Sequence, residues 1–123
     1  MLNFSSLLLF SENPKALVAF YSKVFGKDPE WSGGDFTGWM VGNGAFTIGP
    51  HDKVHGKNDH PERMMVNFET TDVKSEFERI KALGAAVISE PYQPGEEPTM
   101  WIATFSDPEN NYFQIMTPFN PQK

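Results

Sequence analysis

The spacing of apolar positions divides the chain into elements that occur twice in the same order. Phe4 to Phe10 is a short apolar, strand-like run, and Ser11-Glu12-Asn13-Pro14 stops it. Asn13 then fits a helix N-cap with Pro14 at the first helical position. Leu17, Phe20, Tyr21 and Val24 fall at i, i+3, i+4 and i+7, one helical face, and Gly26 suits the left-handed C-cap. Short strand-like pieces follow as far as Pro50, read as three strands, with Asn43-Gly44 as a hairpin signal. After a polar stretch the order returns. Met64 to Glu69 reads as a strand, Asp72 as an N-cap, and Val73, Phe77 and Ile80 as a helical face closed by Leu83-Gly84. Ala86–Ser89, Met100–Phe105 and Tyr112–Thr117 complete the second set of strands, with a Pro/Gly/Glu-rich loop from Glu90 to Pro98.

Val73, Phe77 and Ile80 repeat Leu17, Tyr21 and Val24 at a constant offset of 56 residues. Such an internal repeat outweighs any single element. The expectation is an α+β fold made of two tandem βαβββ modules, about 4–50 and 64–118, joined by a polar linker over 51–63. The whole of 1–123 would be a single domain. Each helix would cover one face of a curved mixed sheet, leaving a concave cavity on the other.

One stretch carries a sharper signal: Thr104-Phe-Ser-Asp-Pro-Glu-Asn-Asn-Tyr-Phe-Gln114. Asp107-Pro108 starts a turn and Asn110-Asn111 tolerate the left-handed backbone that completes it. In the strand that follows, Tyr112, Gln114 and Met116 share one face, and Phe113, Ile115 and Thr117 the other. An amide is thereby set between apolar neighbours, a candidate polar anchor. Asn67, Met65 and Ser6 are further candidates. Trp39 and Trp101, on matching strands of the two halves, could wall a site for a flat or cationic ligand, although packing is the commoner fate of such rings. Met40, Met65 and Met116 could give a pliable lining. His51, His55 and His60 lie in the linker with Asp52, Asp59 and Glu62. Gly49-Pro50 and Gly56 argue against the helix that would bring those histidines together, so a solvated loop is expected.

Charge and composition narrow the classes. The formal net charge is −6 and the pI about 4.9, which opposes non-specific nucleic-acid binding. There is no cysteine, hence neither disulfides nor thiolate chemistry. No apolar run is long enough to span a membrane, and the first residues lack the basic start of a signal peptide. A cytoplasmic location is the resulting default expectation. Neither a phosphate-binding glycine loop nor a nucleophile elbow is present.

The duplicated βαβββ order resembles the vicinal oxygen chelate superfamily, which includes glyoxalase I, bleomycin-resistance proteins and extradiol dioxygenases. Asn13-Pro14 through Val24-Phe25-Gly26 looks like its first helix, and Thr71-Asp72-Val73 through Leu83-Gly84-Ala85 like its second. Thr104 to Gln114 is similar to its closing DPDGN-x-hydrophobic-E hairpin. The resemblance covers Phe4 to Pro118. It implies a divalent metal held by two His and two Glu in the family's enzymes. Those positions fall here at Ser6, about Ile48, about Met65 and Gln114, which supply neither imidazole nor carboxylate. The expectation is therefore no metal and no cofactor. The favoured reading is a metal-free small-molecule-binding protein like the bleomycin-resistance class, with a ligand of aromatic or cationic character. Ser6, Trp39, Ile48, Met65, Asn67, Trp101, Gln114 and Met116 would line the site, and the protein would be a homodimer. Two alternatives stand beside it: a metal-dependent lyase, isomerase or dioxygenase, and a dimeric interaction module without a ligand.

Overall fold

The computed structural model describes residues 1–96 and 98–119. The chain divides into two compact units, Met1–Lys57 and Asn58–Lys123. Glu97, in the expected loop, lies outside the described residues.

The first unit runs β1 (Ser6–Ser11), α1 (Pro14–Phe25), β2 (Trp31–Gly33), β3 (Phe36–Val41) and β4 (Gly44–Pro50). Its sheet has the order β1-β4-β3-β2, with β1 parallel to β4 and the other pairs antiparallel. The second unit runs β5 (Val66–Glu69), α2 (Val73–Ala82), β6 (Ala86–Tyr92), β7 (Ile102–Ser106) and β8 (Tyr112–Met116). Its order, β5-β8-β7-β6, again has one parallel pair. The fold is α+β with tandem βαβββ modules, and hydrogen bonding distributes the strands over two four-stranded mixed sheets.

Each helix buries the stripe its spacing dictates. Leu17, Tyr21 and Val24 are buried in α1, and Val73, Phe77 and Ile80 in α2. Under α1, Tyr21, Phe25, Trp39 and Phe46 pack edge-on or tilted, with centroids 4.9–6.2 Å apart. The Trp39 indole N–H donates to the Lys27 carbonyl at 3.1 Å, so the buried ring keeps its polar atom satisfied. Under α2, Phe77, Phe105 and Phe113 form a stacked column with centroids 5.3 and 5.6 Å apart.

The helix ends follow the sequence with one correction. Asp72 accepts from the Ser75 amide at 3.0 Å, a side-chain cap. Asn13 occupies the equivalent place in α1, but its side chain makes no cap bond; its own amide donates to Ser11 Oγ at 2.8 Å. Gly26 ends α1 in the left-handed region at φ 70°.

Several strand boundaries also move. The β3–β4 loop is Gly42-Asn43, not Asn43-Gly44: Gly42 has φ 62°, and Gly44 already pairs with Val41. A positive φ at the first central residue suits glycine better than asparagine. In the second unit, β5 starts at Val66 and β7 at Ile102, leaving Met65 and Trp101 just ahead of their strands. Between β6 and β7 the register shifts twice, and β6 continues to Tyr92 into the expected loop.

Candidate functional site

Register decides which residues each sheet turns away from its helix. In the second unit, Phe113 pairs with Val66 and Phe105, and Ile115 with Phe68 and Ala103; this is the α2 side. Alternation sends the partners between them to the uncovered face. There Asn67, Gln114, Thr104 and Ser89 form one row across all four strands. The next row is Glu69, Met116, Ile102 and Tyr92. The Gln114 amide donates to Thr104 Oγ1 at 3.0 Å. Thr104 is 4% exposed, so this bond fixes the amide against a buried hydroxyl and leaves the Gln114 carbonyl oxygen pointing elsewhere.

The strand that carries Gln114 is set by the turn before it. Asp107, 4% exposed, accepts the Glu109 amide at 2.8 Å and the Asn111 amide at 3.0 Å, and its carboxylate also receives the Asn111 side chain. Asn110 takes the left-handed backbone at φ 65°. The Asn110 side chain donates to the Asn58 carbonyl at 2.9 Å, and the Asn58 amide donates to the Glu109 carbonyl at 2.8 Å. The middle of the polar linker is thereby pinned to the tip of the β7–β8 hairpin.

The first unit presents a different surface. Phe46 and Ile48 of β4 face α1, so Ser6, Leu8, Phe10, Thr47, Gly49, Gly38 and Met40 share the uncovered face. Two aromatic rings pack close to its backbone. A Cβ on Gly38 would overlap the Trp31 ring, and one on Gly49 the Phe36 ring. Glycine inside a strand marks this kind of close approach. Phe10 meets Phe36 edge-on at 6.1 Å and His51 at 5.2 Å.

Against this frame the sequence candidates separate. Asn67, Gln114 and Met116 come together on the uncovered face of the second unit. Ser6 is exposed on that of the first, and Met65 is exposed just before β5. Ile48 and Trp39 are 0% exposed and belong to the core beneath α1; Thr47 is the residue that β4 turns outward. Trp101 pairs with Thr117 through backbone and hydroxyl, and Lys74 of α2 lies 4.0 Å from its ring centroid, which puts that ring on the helix side as well. Of the two expected aromatic walls, Trp39 thus belongs to the core, and Trp101, half-buried ahead of β7, lies on the helix side under Lys74.

Two of the linker histidines, His51 and His55, have separate partners. His51 Nδ1 accepts the Lys53 amide at 3.1 Å and lies 3.4 Å from Asp52. His55 lies 3.6 Å from Glu12, whose carboxylate accepts the Gly56 amide at 2.9 Å. The Gly56 bond is the main reason the Glu12 carboxyl stays below the ordinary value of 4.5. Glu30 is lowered likewise, chiefly by Lys27 and then by the Met40 amide. Among the described residues, no group of three or more His, Asp or Glu side chains converges as metal ligands would.

Sequence reasoning missed Thr104, the buried partner of Gln114, and Trp31, the ring laid on the first sheet. Gly38, a glycine inside a strand, is the available signal for the latter.

The positions that resemblance assigns to a metal do not fit one. Ser6, Thr47 beside Ile48, Met65 and Gln114 are all neutral, and Gln114 spends its amide on Thr104. No curated protein matches the sequence. Among solved structures, one described as "conserved domain protein" has a TM-score of 0.78 at 15% identity, over 96% of this chain and 100% of that one. A glyoxalase/bleomycin resistance protein/dioxygenase family enzyme from Burkholderia phytofirmans PsJN follows at 0.72 and 23%, over 94% and 98%. The fosfomycin resistance protein FosX from Listeria monocytogenes aligns at 0.68 and 19%, over 97% and 93%. These likenesses are likenesses of fold. A family model described as "Glyoxalase-like domain" matches residues 6–116, nearly the whole chain, and the chain belongs to that family.

Proposed function

We propose that this protein binds a small molecule without a metal, in the manner of the bleomycin-resistance class of the superfamily. The observation that supports it is the row Asn67, Gln114, Thr104 and Ser89, a neutral hydrogen-bonding strip flanked by Met116, Ile102 and Tyr112. A few polar groups among apolar ones is the usual make-up of a ligand site. Glu69 and Tyr92 close the adjacent row with a carboxylate and an exposed ring, chemistry that suits a cationic or aromatic ligand. Asn67 and Gln114 orient the ligand; Met116 adapts to its apolar part.

The test is an NMR titration of the Asn67 and Gln114 side-chain amides with a panel of aromatic, cationic and antibiotic compounds. Saturable shifts that vanish in Gln114→Leu support the reading; silence across the panel removes it. Stoichiometric Zn, Ni, Mn or Fe in protein purified without chelator would instead favour a metal-dependent lyase, isomerase or dioxygenase.

A homodimer and a cytoplasmic location belong to the same proposal. Leu8, Trp31, Phe36 and Met40 are all at least 36% exposed on one sheet face, an apolar surface that a second copy would cover. Sedimentation equilibrium decides the first and cell fractionation the second. A dimer that binds nothing from the panel would point to an interaction module.

A further inference from the structure

The first unit contains a cavity of about 580 Å³ on the α1 side of its sheet. Pro14, Val18 and Ala19 of α1 form one wall and Pro50, at the end of β4, another. Asp35 of the β2–β3 turn and Lys15 of α1 also line it. Thr37, whose register with Ile48 puts it on the helix side, adds a half-buried hydroxyl. The volume falls within the range of about 300–1,000 Å³ usual for small-molecule sites, and apolar walls with a few polar groups are their usual lining.

The charges are what give this cavity chemical character. Lys15 and Asp35 have opposite sign, border the same cavity, and lack an ion-pair partner among the described residues. The two are more than 4 Å apart, so they do not pair with each other. A ligand that matches both must carry an anion and a cation on an apolar frame. We infer that this cavity binds a small amphoteric molecule, its carboxylate toward Lys15, its ammonium toward Asp35 and its apolar part against Pro14, Val18 and Pro50. The inference stands apart from the Gln114 row, which lies in the other unit.

Three probes isolate the two charges: L-phenylalanine, phenethylamine, which lacks the carboxylate, and 3-phenylpropanoate, which lacks the ammonium. Each is titrated into the full chain near neutral pH and followed by amide chemical shifts. L-phenylalanine is expected to shift Lys15, Val18, Asp35 and Thr37 saturably. Both charges are exposed, so each adds roughly a two- to fivefold gain in affinity over the single-charge probe. Lys15→Ala should make L-phenylalanine and phenethylamine equal, and Asp35→Asn should do the same for L-phenylalanine and 3-phenylpropanoate. Ala19→Trp, on the exposed side of α1, fills the cavity and should abolish all three titrations with an unchanged circular dichroism spectrum. The inference is overturned if none of the probes shifts these amides saturably, or if the single-charge probes bind wild type as tightly as L-phenylalanine.

Discussion

The two units share one plan and present different faces. In the first, the uncovered side of the sheet carries Trp31 on Gly38 and Phe36 on Gly49, two broad rings seated where side chains are missing. In the second, the matching side carries amides and hydroxyls, with Gln114 bonded to Thr104. Their cores differ too: edge-on rings around Trp39 in one, a stacked Phe column in the other. A repeat conserves what the helix must cover, since the buried stripe is needed for each sheet to fold. The outer face is free to diverge, and in the two units it differs in polarity.

Substitutions can break that comparison in graded steps. The two cores should be equally necessary: Trp39→Ala and Phe105→Ala, each emptying a fully buried site, should each cost ~3–5 kcal/mol in urea denaturation. A cost under about 1 kcal/mol for either would mean that its unit is not packed as described. The Asp107-anchored hairpin tip belongs to the second unit. Asp107→Ala strands the Glu109 and Asn111 amides and should cost ~1–3 kcal/mol, with faster hydrogen exchange at Asn58 and Asn111. On the outer face of the first unit, Gly38→Ala must displace Trp31. The expected result is a moved Trp31 indole resonance and a loss of ~1–3 kcal/mol from overpacking. An unmoved indole would contradict the seated ring.

Gln114→Leu tests the corresponding face of the second unit. It removes one hydrogen bond and should cost only ~0.5–1.5 kcal/mol while eliminating any ligand-induced shift at Asn67. The smallest effect is at Glu12. Its folded value lies below 4.5, so its contribution is present above that pH and is lost as pH falls through the lower folded value. Acidification should release the Gly56 amide, seen as a shift of its resonance, and Glu12→Gln should flatten that titration.

Much of this molecule is legible in its sequence. The 3.6-residue stripes gave both helices and their buried residues, because a helix exposes its amphipathic face directly in the sequence. The Asp107 turn and Asn110 were readable from side chains that bond their own backbone. The site was harder. Alternation along a strand places Gln114 and Met116 on one face, and the register sets Asn67 beside Gln114. For Trp39, Trp101 and Ile48, alternation alone does not say which parity the helix covers, and a shift of one residue exchanges the two faces.

The amino-acid order by itself thus determined the repeat, the helical stripes, the left-handed turn residues and the neutrality of the supposed metal positions. These are local properties, written in spacing and side-chain chemistry. Only the tertiary structure decided that Thr47 rather than Ile48 faces outward, that Trp31 lies on Gly38, that Thr104 holds Gln114, and that Lys15 and Asp35 border one cavity. Each depends on strand register or on helix placement over a sheet, where residues far apart in sequence become neighbours.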